Sequence, residues 1–398
     1  MGINNSKQLE SINSACVNKY KNNLSMTDDG LTIAVGYNDN NGRVKFSKFI
    51  DNKWQRYCDD IICPEKHFNF GIHVKLSNDG KTIGITSQYF TQIDSNIKTC
   101  IHVYKYINDN WLISKTFTNY DFEYYDVSVF GYSFDFNRCG NMLVILSVIF
   151  VNKKHGYKTV AKLFQYNGVW RIHNAIKPIN LRFCYSKKIY GSSVSISGDG
   201  SHIACSVRNT DNTIILVYEY NSKADRWENK FKINHDYVNK SISSHIVSLN
   251  NDGNILSTEY ICDYKNKESS HIFIYDYDGT TYNKIQHNVS NDSCNIENGL
   301  SSVLSSDGKI IAVCKKYTDN VKVWKKENNI WNELSNIYGM NNINETMTHC
   351  DDNTSITIKK HNQKEIMFVK TDGKWVLNSN RPMISISDIN TIMLSREL

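Results

Sequence analysis

Few side chains in this chain stand at the spacings that catalysis requires. Over 398 residues there is no Gly-x-Ser-x-Gly elbow, no His-Glu-x-x-His pair and no phosphate-cradling glycine loop. The runs that would line a shared axis carry mostly Ser, Ile, Val and Leu, not the convergent carboxylates or arginines of a hydrolytic centre. The 11 cysteines form no Cys-x-x-Cys pair. Zinc frameworks and disulfide scaffolds show tighter spacing. The closest two, Cys58 and Cys63, precede His67, while others such as Cys205 and Cys314 sit inside apolar runs. The set reads as buried, reduced thiols, so no metal and no cofactor is expected. Asp276-Tyr277-Asp278-Gly279 has too few carboxylates for a calcium cage.

Groups suited to binding are easier to find. Tyr120-Asp121-Phe122-Glu123-Tyr124-Tyr125 is aromatic and acidic, and amphipathic rings of this kind anchor interfaces. Lys153, Lys154, His155, Lys187 and Lys188, with Arg182, Lys265 and Lys267, add basic character to neighbouring connections. The start, Met1-Gly2-Ile3-Asn4-Asn5-Ser6-Lys7, fits the N-myristoylation pattern. One acyl chain on Gly2 gives only reversible membrane contact, so a transient visit is the expectation.

These groups must be positioned by the elements between them, and those elements repeat. An alternating apolar run, then Ser, a spacer, Asp-Gly and a second alternating run recur with glycines at Gly30, Gly80, Gly140, Gly200, Gly253 and Gly308, 50 to 60 residues apart. Weaker copies surround Asp352 and Asp388. Period-two alternation with β-branched residues means strands, and Asp-Gly tolerates the positive φ of a turn. Each phrase is therefore a hairpin, strands a and b. A second hairpin, strands c and d, follows the first seven, with Trp54, Trp111, Trp170, Trp227, Trp331 and Trp375 opening the outer strand and Tyr282 in that slot in the fifth copy. Such a ring is expected to pack between neighbouring units. Repeated four-stranded antiparallel units close into a propeller, because radial repetition leaves only short, protected edges.

The Ser-x-Asp-Gly-x-x-Ile-Ala phrase followed by Val-x-Val-Tyr/Trp resembles WD40-type propeller repeats. Phe70-Gly71, Phe130-Gly131 and Tyr190-Gly191, just before strand a, are similar to the FG-GAP repeats of integrin-α-like propellers. The Gly-His and Trp-Asp dipeptides and the Asp-x-Asp-x-Asp-Gly loop of those families are missing, so the resemblance implies a fold. The expected architecture is an all-β single propeller over residues 21–398, preceded by a leader at 1–20. Eight blades are slightly favoured over seven, because Met383–Ser395 reads as an eighth inner hairpin that a strand within residues 5–14 would complete, closing the ring with both chain ends.

The expected binding face carries the b–c and d–a connections, read as Ser87–Thr99, Asn119–Phe130, Val148–Lys158, Ile172–Tyr190 and Glu259–Ser270. A net charge of +6 spread through every repeat gives no nucleic-acid stripe, so specific nucleic-acid binding is not expected. The polar start lacks a secretory core, and no 18-residue apolar run occurs, so a cytoplasmic, monomeric chain is expected, neither secreted nor transmembrane. Abundant Asn, Lys, Ile and Tyr match an AT-rich genome such as that of a protist or a large DNA virus. These features point to a non-enzymatic protein-interaction scaffold. A propeller hydrolase or lyase with an axial site is the alternative, and a structural component of a virion or assembly is the second.

Overall fold

Alternation over short runs builds strands and almost nothing else. The computed structural model describes residues 24–377, apart from 38–41, 52, 91–96, 123–126, 153–155, 174–180, 183–192, 209–212, 236–240, 265–266, 287–299, 316–320, 329, 338–342, 350–354, 361–364 and 372–373. Among the described residues the only helical element is one 3-10 turn, Asn119–Phe122. The strands form seven antiparallel sheets of four strands each, with a short extra strand on three of them.

Blade 1 runs from inner to outer edge as Leu24–Met26, Thr32–Tyr37, Arg43–Ile50 and Lys53–Arg56. Blade 2 runs as Val74–Leu76, Thr82–Phe90, Ile97–Ile107 and Asn110–Phe117. The inner strands of blades 3 to 7 are Val127–Phe136, Val194–Ile196, Ser241–Leu249, Leu300–Leu304 and Ile343–His349. Each inner strand touches the next, and the seventh touches the first, so the seven form a closed ring. The segments expected to make an eighth blade, 5–14 and 383–395, lie outside the described residues.

The core lies between blades. Phe46, Ile61, Phe70, Ile83, Ile85 and Tyr104 pack blade 1 on blade 2. Ile101, Phe117, Phe134, Phe136 and Trp170 pack blade 2 on blade 3. Fully burying each such ring contributes about 2–3 kcal/mol. The tryptophan slot behaves as expected: Trp111 stacks on Phe46 of blade 1 at 4.7 Å, and Trp170 meets Phe117 of blade 2 edge-on at 5.8 Å. The Phe70-Gly71 pair is explained by the seam between blades 1 and 2. Phe70 is fully buried, and Gly71, at φ 83°, lies so close to Gly36 that a Cβ on Gly36 would fall 1.9 Å from the Gly71 carbonyl oxygen.

The recurring Ser-x-Asp-Gly phrase is a self-capped turn. Ser77 Oγ donates to Asp79 at 2.6 Å and accepts the Thr82 amide at 2.9 Å, while Asp79 accepts the Lys81 amide and Gly80 turns at φ 70°. Ser197 with Asp199, and Ser305 with Asp307, repeat it.

These turns also bond to one another around the axis. The Asp28 amide reaches the Asn78 carbonyl, Asp79 reaches Arg138, Arg138 reaches Gly198, Asp199 reaches Asn251 and Asn251 reaches Ser306, at 2.7 to 3.3 Å. Side chains then cross the axis. Asn78 donates to Asn251, Asn251 to Asp28, and Ser306 to Asp28 at 2.8 Å. The turn face is thereby tied together across the axis.

Three of the expected loops are largely strand. Thr82–Phe90 and Ile97–Ile107 absorb most of Ser87–Thr99. Met142–Asn152 with Gly156–Tyr166, and Ile255–Tyr264 with Lys267–Tyr277, absorb Val148–Lys158 and Glu259–Ser270. Polar residues interrupt the apolar alternation there, but the backbone pairing continues through them.

Candidate functional site

The tall second blade carries the densest set of chemistry-bearing side chains among the described residues. Ser87 pairs with Cys100 across the second and third strands, and His102 lies two residues further on, opposite Ile85. Partners opposite each other in a ladder share a face, and this face looks across the seam toward blade 1. The d–a connection then adds a bridge, His67–Phe68, that pairs with Gln88 and Tyr89 at the loop end of the second strand. Lys66 at φ 63° and Asn69 at φ 54° bracket this bridge in left-handed backbone, and Asn69 donates to Gln88 at 2.7 Å. Left-handed backbone at a non-glycine residue costs about 1–2 kcal/mol and persists only where surroundings enforce it.

Four groups converge there. Ser87 Oγ lies 2.8 Å from His67 Nδ1, 2.8 Å from His102 Nε2 and 3.1 Å from Cys100 Sγ. Cys100 Sγ is 3.5 Å from His67 Nδ1 and 3.3 Å from His102 Nε2. His102 Nδ1 meets Thr116 Oγ1 at 3.0 Å, which fixes the ring. Ser87 and Cys100 are fully buried and His102 is 2 % exposed, whereas His67 is half-buried and forms the surface end. Among the described residues the ring hydrogen bonds of His67 run through Nδ1.

Burial sets the charge state. It lowers His67, and it lowers His102 to about 4, with the nearby His67 adding to the effect. Burial raises the Cys100 thiol to about 11, against hydrogen bonds from Ser87 that pull it down. At neutral pH the cluster therefore holds two neutral imidazoles, a protonated thiol and one hydroxyl. Tyr89 leans on His67 with ring centres 5.3 Å apart, and burial keeps its hydroxyl protonated.

The expected binding residues fare unevenly. Tyr120 stands on the 3-10 turn, 80 % exposed and near enough to Tyr89 to raise its hydroxyl further. Phe122 ends that turn. Asp121 holds it, accepting the Thr118 amide at 2.8 Å and pairing with Lys115 at 2.7 Å. Tyr124, Tyr125, Lys153, Lys154, His155, Lys187, Lys188 and Gly2 lie outside the described residues. Of the Cys58, Cys63 and His67 grouping, only His67 enters the cluster; Cys58 and Cys63 are half-buried against the blade 1–blade 2 core. Among the described residues no helix is long and apolar enough to cross a membrane.

Sequence reading missed Ser87, Cys100 and His102. Cys100-x-His102 is a two-residue spacing on a strand, which puts both side chains on one face, and that was the available signal. Their meeting with His67 and Ser87 depends on strand register and on the bridge, which no linear spacing records.

No family model and no curated protein matches this sequence. Solved structures do match its fold. The periplasmic gluconolactonase of Pseudomonas aeruginosa superposes with a TM-score of 0.57 at 10% identity, covering 87% of this chain and 94% of that one. A protein assigned as a 6-phosphogluconolactonase from Bacteroides uniformis gives 0.54 at 10% identity over 87% and 94%. A chain of the mitotic checkpoint complex gives 0.50 at 13% identity over 86% and 87%. These likenesses establish the β-propeller fold, and the WD40-type resemblance holds at that level. They also correct the expectation of a non-enzymatic scaffold. Enzymes stand among the full-length matches, two with lactonase names and one a hydrazine synthase of Kuenenia stuttgartiensis with a TM-score of 0.53 at 9% identity, and at such identities they show the fold alone.

Proposed function

We propose that the chain is a propeller hydrolase that opens a small ester of the lactone class, at the seam between blades 1 and 2 on the loop face. The observation that carries this reading is the Ser87 hydroxyl held 2.8 Å from each of two imidazoles, one of which, His67, reaches the surface. The lactonase names among the matched folds supply the substrate class.

Ester hydrolysis asks for a base beside the attacking water, a group that orients the base and a donor for the developing oxyanion. His67 meets the first need through the edge of its ring away from Ser87. The Ser87–His102–Thr116 chain meets the second, and the Tyr89 hydroxyl meets the third. The water oxygen bonds to the carbonyl carbon as its proton passes to His67. The ring C–O bond then breaks, and the departing alkoxide takes that proton to leave a hydroxy acid. Tyr120, exposed beside Tyr89, offers a face on which a sugar-like ring can rest.

Purified protein tested on a panel of aldonolactones and simple aryl esters is expected to turn over at least one of them. His67→Ala is expected to lower kcat/KM by about 10²–10⁴. Tyr120→Ala should raise KM with kcat nearly unchanged. An absence of turnover above buffer across the panel, or full activity in His67→Ala, would overturn the reading.

A further inference from the structure

We propose that His67 Nδ1, Cys100 Sγ and His102 Nε2 hold a divalent ion of the zinc class. This deepens the hydrolase reading by naming a cofactor for the same site, and it recasts one role there: a ring bound through Nδ1 keeps its proton on Nε2, so a metal-loaded His67 serves as ligand and the ion takes over activation of the water. Its link to catalysis rests on that reading, while occupancy of the site stands without it.

The geometry is the argument. The three donor atoms lie within 4.8 Å of one another. Zn–S near 2.3 Å and Zn–N near 2.0–2.1 Å at tetrahedral angles require S–N edges of roughly 3.6 Å and an N–N edge of roughly 3.3 Å. The two S–N edges are already 3.5 and 3.3 Å, and the N–N edge, which lies within 4.8 Å, closes toward roughly 3.3 Å on binding. Ser87 Oγ caps this triangle at 2.8, 2.8 and 3.1 Å, so a modest retreat of one hydroxyl opens the centre.

The donor set selects the ion. Two imidazoles and a thiolate suit zinc, cobalt and copper, and repel magnesium and calcium, which want hard oxygens. Each imidazole binds through a ring lone pair without shedding a proton. The thiol must lose one, and the ion supplies the driving force at the cost of a released proton. Outer contacts needed to aim the ligands are also present. Thr116 holds His102 from behind, and the Asn69–Gln88 bond with the left-handed backbone at Lys66 and Asn69 holds the His67 bridge. With three protein ligands and an edge at the surface, the fourth position is left to the Ser87 hydroxyl or to water, which is the pattern of a reactive zinc centre rather than a closed structural one.

The test uses the full chain, stripped with a chelator and titrated with Co²⁺, then Zn²⁺, with no substrate present. The expected result is saturation at one equivalent, with intense visible bands of tetrahedral cobalt and a thiolate-to-cobalt charge-transfer band that Zn²⁺ erases. Cys100→Ser should lose the charge-transfer band, and Cys58→Ser and Cys63→Ser should keep it. Thr116→Val, which touches no metal, should weaken binding by about tenfold. Far-UV circular dichroism and the melting temperature check that each variant is folded. No cobalt bands, or bands unchanged in a folded Cys100→Ser, would overturn the proposal. Lactone assays with and without chelator separate the two readings. A stoichiometric cobalt spectrum without turnover supports the metal site and sinks the hydrolase. Chelator-resistant turnover without a spectrum overturns the metal site alone.

Discussion

His73 gives the plainest consequence of a single side chain. Its ring packs 4.5 Å from Phe134, and burial, then the Lys75 ammonium, push it down to about 3. The folded state keeps it neutral while the unfolded chain protonates it near 6.5. The unfolded state then binds the extra proton, so stability is complete above about pH 6.5 and falls as pH drops from there toward 3. The loss from this one residue is about 1 kcal/mol at pH 5.5. His202, buried and lowered for the same first reason, acts in the same direction. Urea midpoints at pH 7 and pH 5.5 are the measurement. His73→Phe should flatten part of the slope, and a midpoint that rises on acidification would contradict the account.

Turns and strands were legible to different degrees, for reasons visible in particular residues. The turn phrase was readable because each of its positions does one local job, with Ser77 capping, Asp79 bracing and Gly80 bending. Ser77→Ala and Ser305→Ala should therefore cost similar amounts, about 1–2 kcal/mol each, in chemical unfolding. A large difference between them would mean that blade context governs the turn. The upper ends of the strands were misread as loops because polar residues such as Ser87, Gln88, Lys98 and Thr99 break the apolar alternation on which the reading relied, while Cys100 and His102 fell just inside the run read as strand. The tryptophan slot was legible for the opposite reason, since a large ring at a fixed repeat position has one economical place, the neighbouring blade.

Closure belongs to the whole molecule. The inner strand of the seventh sheet touches that of the first, as every other adjacent pair does. Deleting residues 384–398 should accordingly leave a single cooperative unfolding transition, with a midpoint close to that of the full chain. A transition that broadens or splits would show that the terminal segment is needed to close the ring, as expected from the sequence. Fold class was readable from the repeat alone, because one blade cannot bury its faces and stacked blades can. The closure was not readable, because contacts between the first and last repeats leave no mark on either one.

The bonded turn face bears on how such a chain can change over generations. Repeat proteins commonly grow or shrink by copying a unit, and this chain is assembled from near-equivalent units. Here, though, Asn78, Asn251, Asp28 and Ser306 meet across the axis at hydrogen-bond distance. A duplicated or lost unit would alter the circumference and pull those four apart together, leaving several polar groups without partners at once. Point substitution on the loop face carries no such collective penalty. This turn face therefore accommodates changes within individual blades more readily than a change in their number.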